Sequence, residues 1–144
     1  ELIAMGDLFE DHLTASREKL AGHDSITSRV QVDPEHRSIR FDAYQKVIAS
    51  DVDIVMLATP PAYRPQYFEA AIAAKKHVFC EKPFGTDPVG VRRFMEAAKK
   101  SEELKLTVVS GAQRHFAADY VENMRAFAIL DKRSFLWFEI ENLI

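Results

Sequence analysis

Polar residues follow four short apolar runs of the sequence, and such positions could carry chemistry. In an open sheet of parallel strands, ligands bind beyond the carboxyl ends of the strands. The candidate residues are therefore those that come directly after each run: Asp7, Thr59-Pro60-Pro61, Glu81-Lys82-Pro83 and Gln113-Arg114-His115.

Lys82 has the most specific chemistry of these candidates. Pro83 disfavours helical geometry for the residue before it, so Lys82 is expected to be extended, with its side chain held in one direction. An ammonium group at a fixed place suits proton transfer or polarisation of a carbonyl oxygen. A solvated turn is the alternative interpretation, and the tripeptide Glu81-Lys82-Pro83 alone does not decide between the two.

The other three groups also allow two interpretations each. A carboxylate at a strand end, such as Asp7, can hydrogen-bond the ribose hydroxyls of a dinucleotide, or it can cap the next helix. Thr59 and Pro60 either line a ligand cleft or only end their strand. Arg114 and His115 either contact a substrate or face water.

Apolar runs and amphipathic segments alternate along the chain. Strands are predicted for residues 1–6, 38–41, 53–58, 77–80 and 105–111, and helices for 8–20, 42–50, 65–76, 87–104 and 118–130. This alternation predicts an α/β fold with a doubly wound parallel sheet of the Rossmann type. The unbroken run at 53–58 is typical of a strand covered on both faces. Apolar and polar residues alternate at 134–144, which predicts the start of a second α+β domain.

The composition is that of one globular domain. The 144 residues are 47% hydrophobic and carry a net charge of −3, which does not indicate a nucleic acid or an anionic membrane as partner. The histidines show no metal-ligand spacing, so no metal is predicted. A cytoplasmic location is expected, with a periplasmic one left open because the sequence begins at Glu1 rather than at methionine. We interpret it as a portion of a longer protein.

Together these segments resemble the Gfo/Idh/MocA family of NAD(P)-dependent oxidoreductases. The similarity covers residues 1–116, and its most specific element is HVFCEKP following DIVMLATPP. The resemblance implies a partial dinucleotide-binding Rossmann domain in residues 1–116. Residues 117–144 are then the start of a second domain or an atypical tail.

The resemblance also implies an activity. It is hydride transfer between a nicotinamide cofactor and a secondary hydroxyl of a sugar, inositol or related polyol, with Lys82 as the catalytic residue. NAD is expected as cofactor, with NADP as the alternative, because a carboxylate at position 7 would repel a 2′-phosphate. The full-length protein is expected to be a homo-oligomer. The implied contacts are Asp7, Thr59, Pro60, Glu81, Lys82 and Pro83 for the cofactor, and Arg114 and His115 for the substrate.

Two departures from the family pattern limit what these residues do alone. No Gly-x-Gly-x-x-Gly occurs among the five glycines, so the pyrophosphate loop and the first strand of the Rossmann domain are absent. That strand is central in the order 3-2-1-4-5-6, so we predict a gap between strands 1–6 and 53–58. The family's downstream Asp/His segment is missing too. We therefore predict weak or no NAD binding by the 144 residues alone.

Two further interpretations stay open at this point. One is a non-catalytic Rossmann-like module for dimerisation or ligand sensing, and the other is an inactive truncated remnant. Fold alone does not separate either of them from an enzyme.

Overall fold

The computed structural model describes residues 1–130 of the chain, with side chains described as far as Arg125. These residues fall into two compact units, Glu1–Ser110 and the part from Gly111 onward. The strand predicted at 134–144 lies outside the described residues, and the predicted second domain in 117–144 stays a prediction.

Strands and helices alternate in the first unit, as the sequence predicts. The strands are β1 (Met5–Asp7), β2 (Arg37–Ile39), β3 (Ile54–Leu57), β4 (His77–Cys80) and β5 (Val108–Ser110). The helices are α1 (Glu10–Ala21), α2 (Ala43–Ala49), α3 (Arg64–Ala73) and α4 (Pro88–Glu103), followed in the second unit by α5 (Ala118–Leu130). Short 3-10 helices lie at Thr27–Arg29, Pro34–His36 and Gln113–His115.

The strands form two parallel sheets. One sheet has the order β1-β2, with Asp7 opposite Ile39, and the other has the order β3-β4-β5, with Leu57 opposite Cys80. This arrangement corresponds to the order 3-2-1-4-5-6 with the central position empty. Within residues 1–130 no strand joins β1 to β3, so the predicted gap is confirmed for the part of the chain that the structure describes.

The hydrophobic core lies on one face of the three-stranded sheet. Val55 and Val78 of the strands pack there against Phe68 of α3 and Phe94 of α4. The Phe68 side chain is fully buried, and its ring stacks on that of Phe94 with 4.0 Å between centroids. This packing holds α3 and α4 against the sheet and so determines where the loops at the carboxyl ends of β3 and β4 begin.

The other face of this sheet is open in the described residues. Ile54 and Met56 of β3 are 60% and 69% exposed, so the prediction of a strand covered on both faces is wrong for this part of the chain. The reason is that α3 and α4 pack on the same side, against Val55 and Leu57. A shallow groove of about 460 Å³ on this open face contains none of the predicted site residues.

Helix α4 buries one stripe of residues against the core. Val91 and Met95 are 39% and 55% exposed, whereas Phe94 and Ala97 are buried. The buried stripe continues to Ser101, because residues three and seven positions after Phe94 return to its face of a helix. Met95, one position after Phe94, points well away from that stripe.

The acidic residues before the helices differ in whether they cap them. The alternative in which Asp7 caps the next helix is wrong, and Asp42 does not cap α2 with its side chain either. The Asp42 carboxylate instead pairs with Lys46 at 2.9 Å, which lowers the pKa of Asp42. Asp87 does cap α4, since its Oδ1 accepts from the backbone N–H groups of Val89 and Gly90 at 2.9 Å each.

Candidate functional site

The predicted site residues of the first unit follow the carboxyl ends of its parallel strands. Asp7 is the last residue of β1, Thr59 and Pro60 follow β3, and the turn Glu81–Pro83 follows β4. Because paired parallel strands point the same way, the turns after β3 and β4 lie at the same edge of their sheet. The Glu81 N–H donates to the carbonyl of Leu57, the last residue of β3, at 3.0 Å, which ties the turn after β4 to the end of β3.

Asp7 uses only part of its carboxylate locally. Its Oδ1 accepts a hydrogen bond from the Phe9 N–H at 2.9 Å and lies 3.9 Å from His12 Nδ1. Its Oδ2 makes no hydrogen bond within the described residues, and the side chain is partly exposed. The local turn therefore leaves one carboxylate oxygen able to accept from a ligand hydroxyl.

The Thr59 hydroxyl is the strongest sign of a ligand between β3 and α3. Its Oγ1 is buried and has no hydrogen-bond partner in the described part of the chain. Buried polar groups almost always have a partner, and leaving one unpaired costs about 1–3 kcal/mol. Pro60 follows directly, and its carbonyl accepts from the Tyr63 N–H at 3.1 Å. The orphaned hydroxyl fits a position that contacts a polar group of a cofactor.

Lys82 lies in the turn Glu81–Pro83, which becomes exposed after its first residue. Glu81 is half-buried, whereas Lys82 and Pro83 are exposed, and the Lys82–Pro83 peptide bond is cis. No carboxylate of the described residues lies within 4.0 Å of the Lys82 ammonium. The ammonium is therefore available to a substrate oxygen and not held by an internal ion pair.

Arg64 is a site residue that the sequence analysis missed. It is the first residue of α3, is only 6% exposed, and donates from Nη1 to the Pro83 carbonyl at 2.6 Å. The contact spans 19 positions of the chain. An arginine at a helix start is usually solvated, so only the tertiary structure reveals that this one reaches the lysine turn.

Cys80 is a free, buried thiol at the end of β4. It is 1% exposed, and burial raises its pKa to about 11, although the positive charge of Arg64 lowers the pKa in part. Its Sγ donates a weak hydrogen bond to the Glu81 carbonyl at 3.5 Å. A thiol that is protonated at neutral pH is a poor nucleophile, so Cys80 serves packing at the end of β4.

The raised pKa of Cys80 predicts a pH dependence of stability. An unfolded thiol ionises near its ordinary value of 9.0, while the folded one holds its proton to about 11. The free energy of unfolding should therefore fall as pH rises from about 9 to about 11, and urea denaturation across this range would measure it. The Cys80→Ala variant should show a shallower fall, since lysines and tyrosines titrate in both proteins. Equal slopes would contradict the assignment.

Arg114 and His115 belong to the second unit. Both are exposed and lie in the 3-10 helix Gln113–His115. The Arg114 guanidinium stands over the Tyr120 ring at 5.2 Å from its centroid, a distance at which a cation–π contact forms. Their contact with a substrate stays a prediction.

One acidic cluster lies away from these residues. Side-chain ligand atoms of Asp33, Glu35 and His36 come within 4.8 Å of one another. All three belong to a short surface turn, and exposed acidic groups often gather in this way without an ion, so we assign no metal site. Among residues 1–130, no helix combines the length and the apolar character needed to cross a bilayer.

The strand order and the polar groups at the strand ends define a Rossmann-type nucleotide-binding domain. The model of the Gfo/Idh/MocA oxidoreductase family with an NAD-binding Rossmann fold matches residues 11–110. The chain belongs to this family.

Known relatives agree with that assignment, and solved structures share the fold. Inositol 2-dehydrogenase of Acidothermus cellulolyticus is 36% identical over 107 residues, which cover 68% of this chain and 31% of that enzyme. Aldose-aldose oxidoreductase of Caulobacter crescentus superposes with a TM-score of 0.64 at 23% identity, covering 89% of this chain and 34% of that one. Scyllo-inositol dehydrogenase of Lactobacillus casei, solved with NAD(H) and scyllo-inositol, superposes with a TM-score of 0.60 at 19% identity over 89% of this chain and 41% of its own. The chain thus spans about a third of the length of the first of these relatives.

Proposed function

We propose that the protein carrying this chain is an NAD-dependent dehydrogenase that acts on a secondary hydroxyl of an inositol, a sugar or a related polyol. The observation that carries the proposal is Lys82, an exposed amine without an acidic partner in the described residues, at the carboxyl end of β4. The relatives named inositol 2-dehydrogenase support the substrate class. They favour an enzyme over a non-catalytic module or a truncated remnant.

The residues present fit the adenosine ribose and the nicotinamide end of a dinucleotide better than its pyrophosphate. Asp7 would accept from the ribose hydroxyls with its unused oxygen, and the orphaned Thr59 hydroxyl would meet a polar group beside Pro60. Glu81 and Pro83 would shape the nicotinamide end. No glycine-rich phosphate loop occurs in the sequence, so these contacts alone are expected to bind NAD weakly.

When bound, NAD supplies the acceptor for the hydride that leaves the carbinol carbon. The task of Lys82 is to receive or hold the hydroxyl proton as the C–O bond gains carbonyl character. Arg114 and His115 are proposed to contact the substrate hydroxyls. A homo-oligomer and a cytoplasmic location are part of the same proposal, and NADP is the alternative cofactor.

The test uses the complete gene product and compares NAD with NADP on a panel of inositols and aldoses. We expect turnover with NAD, and we expect Asp7→Ser to weaken NAD binding roughly 10- to 100-fold because a hydrogen bond to a charged group contributes about 1.5–3 kcal/mol. NADP binding should weaken less or improve, since the change removes a charge that repels the 2′-phosphate.

Asp11→Ser is the matched control, because Asp11 is an exposed carboxylate on the neighbouring helix α1. It should change neither affinity. If Asp7→Ser lost the same affinity for NAD as for NADP, then Asp7 would only stabilise its local turn and would not contact the ribose. No turnover with either cofactor on any substrate of the panel would contradict the proposed function.

A further inference from the structure

Arg64 occupies a position that is costly for a cation. Its side chain is 6% exposed, and within residues 1–130 no carboxylate lies within 4.0 Å of it. Its Nε is buried without a hydrogen-bond partner in the described residues. Burying an unpaired charge is unfavourable, and a positive charge at the first residue of a helix also opposes the helix dipole. Packing alone does not account for a guanidinium here.

The Arg64 side chain makes one hydrogen bond within the described residues, and that bond reaches the lysine turn. Its Nη1 donates to the Pro83 carbonyl at 2.6 Å. The residues from Lys82 to Thr86 take part in no backbone–backbone hydrogen bond within the described residues. The Glu81 N–H anchors the start of the turn to Leu57, and Arg64 anchors it directly after Lys82. The Lys82 backbone is therefore held from both sides.

We infer that Arg64 is a positioning residue for Lys82, which it serves by fixing the turn that presents the amine. The inference rests on the proposed function for the role of Lys82, whereas the contact itself does not. A buried tether of this kind restricts the turn before any ligand arrives. Small displacements of a reacting group reduce turnover more than binding, so the loss of Arg64 should act on kcat.

The test variant is Arg64→Met, which has a similar length and no charge. Because Arg64 has no acidic partner within 4.0 Å in the described residues, its removal leaves no opposite charge buried and unpaired, so the variant is expected to fold. In the complete gene product we expect kcat to fall roughly 10- to 100-fold, with little change in the dissociation constant of NAD. Arg64→Lys keeps the charge and a donor and should recover part of the loss.

A double-mutant cycle separates positioning from a general loss of structure. If Arg64 acts through Lys82, then Lys82→Ala combined with Arg64→Met should be no slower than Lys82→Ala alone, because residues that act as a unit are not additive. Additive losses, or an unchanged kcat in Arg64→Met, would overturn the inference.

The thiol of Cys80 gives a second readout that needs no activity. Cys80 is the single cysteine of the chain and is buried directly before the turn. Arg64→Met should speed its alkylation per thiolate several-fold in the 144-residue chain, while the urea midpoint stays the same or rises. The thiolate fraction of each protein is taken from the pH dependence of its alkylation rate, because the charge of Arg64 lowers the pKa of Cys80 and its removal by itself slows alkylation. If the wild-type gene product turns over nothing, the proposed function fails and alkylation still decides on Arg64. An unchanged alkylation rate per thiolate would show that the tether does not hold the turn.

Discussion

Replacing Lys82 with alanine is expected to lower kcat of the complete gene product roughly 10²- to 10⁴-fold, the range in which positioned acid–base groups contribute. NAD binding should change little, because the ammonium is exposed and makes no internal ion pair in the described residues. Steady-state turnover of an inositol substrate, together with NAD titration by fluorescence, would separate the two quantities. Lys82→Arg should recover little activity, since a guanidinium keeps its proton at all relevant pH values.

The control for this change is Lys99→Ala, which removes an exposed lysine from α4. It should leave both kcat and NAD binding unchanged. If Lys82→Ala retained full turnover, then Glu81-Lys82-Pro83 would be a structural turn, and the solvated-turn interpretation of the sequence would be the correct one.

Phe68→Ala is expected to cost about 3–5 kcal/mol of unfolding free energy, the usual range for a fully buried phenylalanine. The ring is fully buried and stacks on Phe94 at 4.0 Å, so its removal leaves a cavity under the three-stranded sheet and also ends that stacking contact. Natural domains are stable by only about 5–15 kcal/mol, so this one change removes a large share of the total. Urea denaturation of the 144-residue chain, followed by far-UV circular dichroism, measures the loss.

Two further variants serve as controls for that measurement. Phe116→Ala changes a ring that is 71% exposed, and it should alter stability by no more than about 0.5 kcal/mol. Phe68→Leu keeps most of the apolar volume and should lose less than Phe68→Ala, which keeps the comparison usable if the alanine variant does not fold. Equal effects of Phe68→Ala and Phe116→Ala would show that the core does not lie where Phe68 and Phe94 meet.

Much of the architecture could be read from local pattern. The run at 77–80 appears as β4 with the predicted bounds, and α5 begins at the predicted residue, Ala118. Such elements are predictable because apolar periodicity and proline are local signals. The absence of a glycine-rich loop likewise indicated the gap between β1 and β3. In a Rossmann domain that loop follows the first strand, and the order 3-2-1-4-5-6 places this strand at the centre of the sheet.

Contacts between distant segments were not predictable in this way. The burial of Arg64 and its bond to Pro83 depend on how α3 packs against the sheet, and no residue beside Arg64 in the chain indicates it. The open face of β3 was not predictable either. Ile54 and Met56 belong to an unbroken apolar run, and such a run is typical of a strand covered on both faces. Whether a face is covered depends on which elements pack against it.

The sequence by itself determined the fold class, the family and the residues at the strand ends where chemistry is proposed. Residue type, spacing and proline geometry are properties of the chain alone, and they located Asp7, Thr59 and Lys82 at the ends of strands. The tertiary structure decided which polar atoms are left without partners and which backbone groups are held. The Thr59 hydroxyl is left without a partner in the described residues, and the Pro83 carbonyl after Lys82 is held by Arg64. Neither fact could be read from the sequence, because burial and hydrogen bonding exist only once distant segments have packed together.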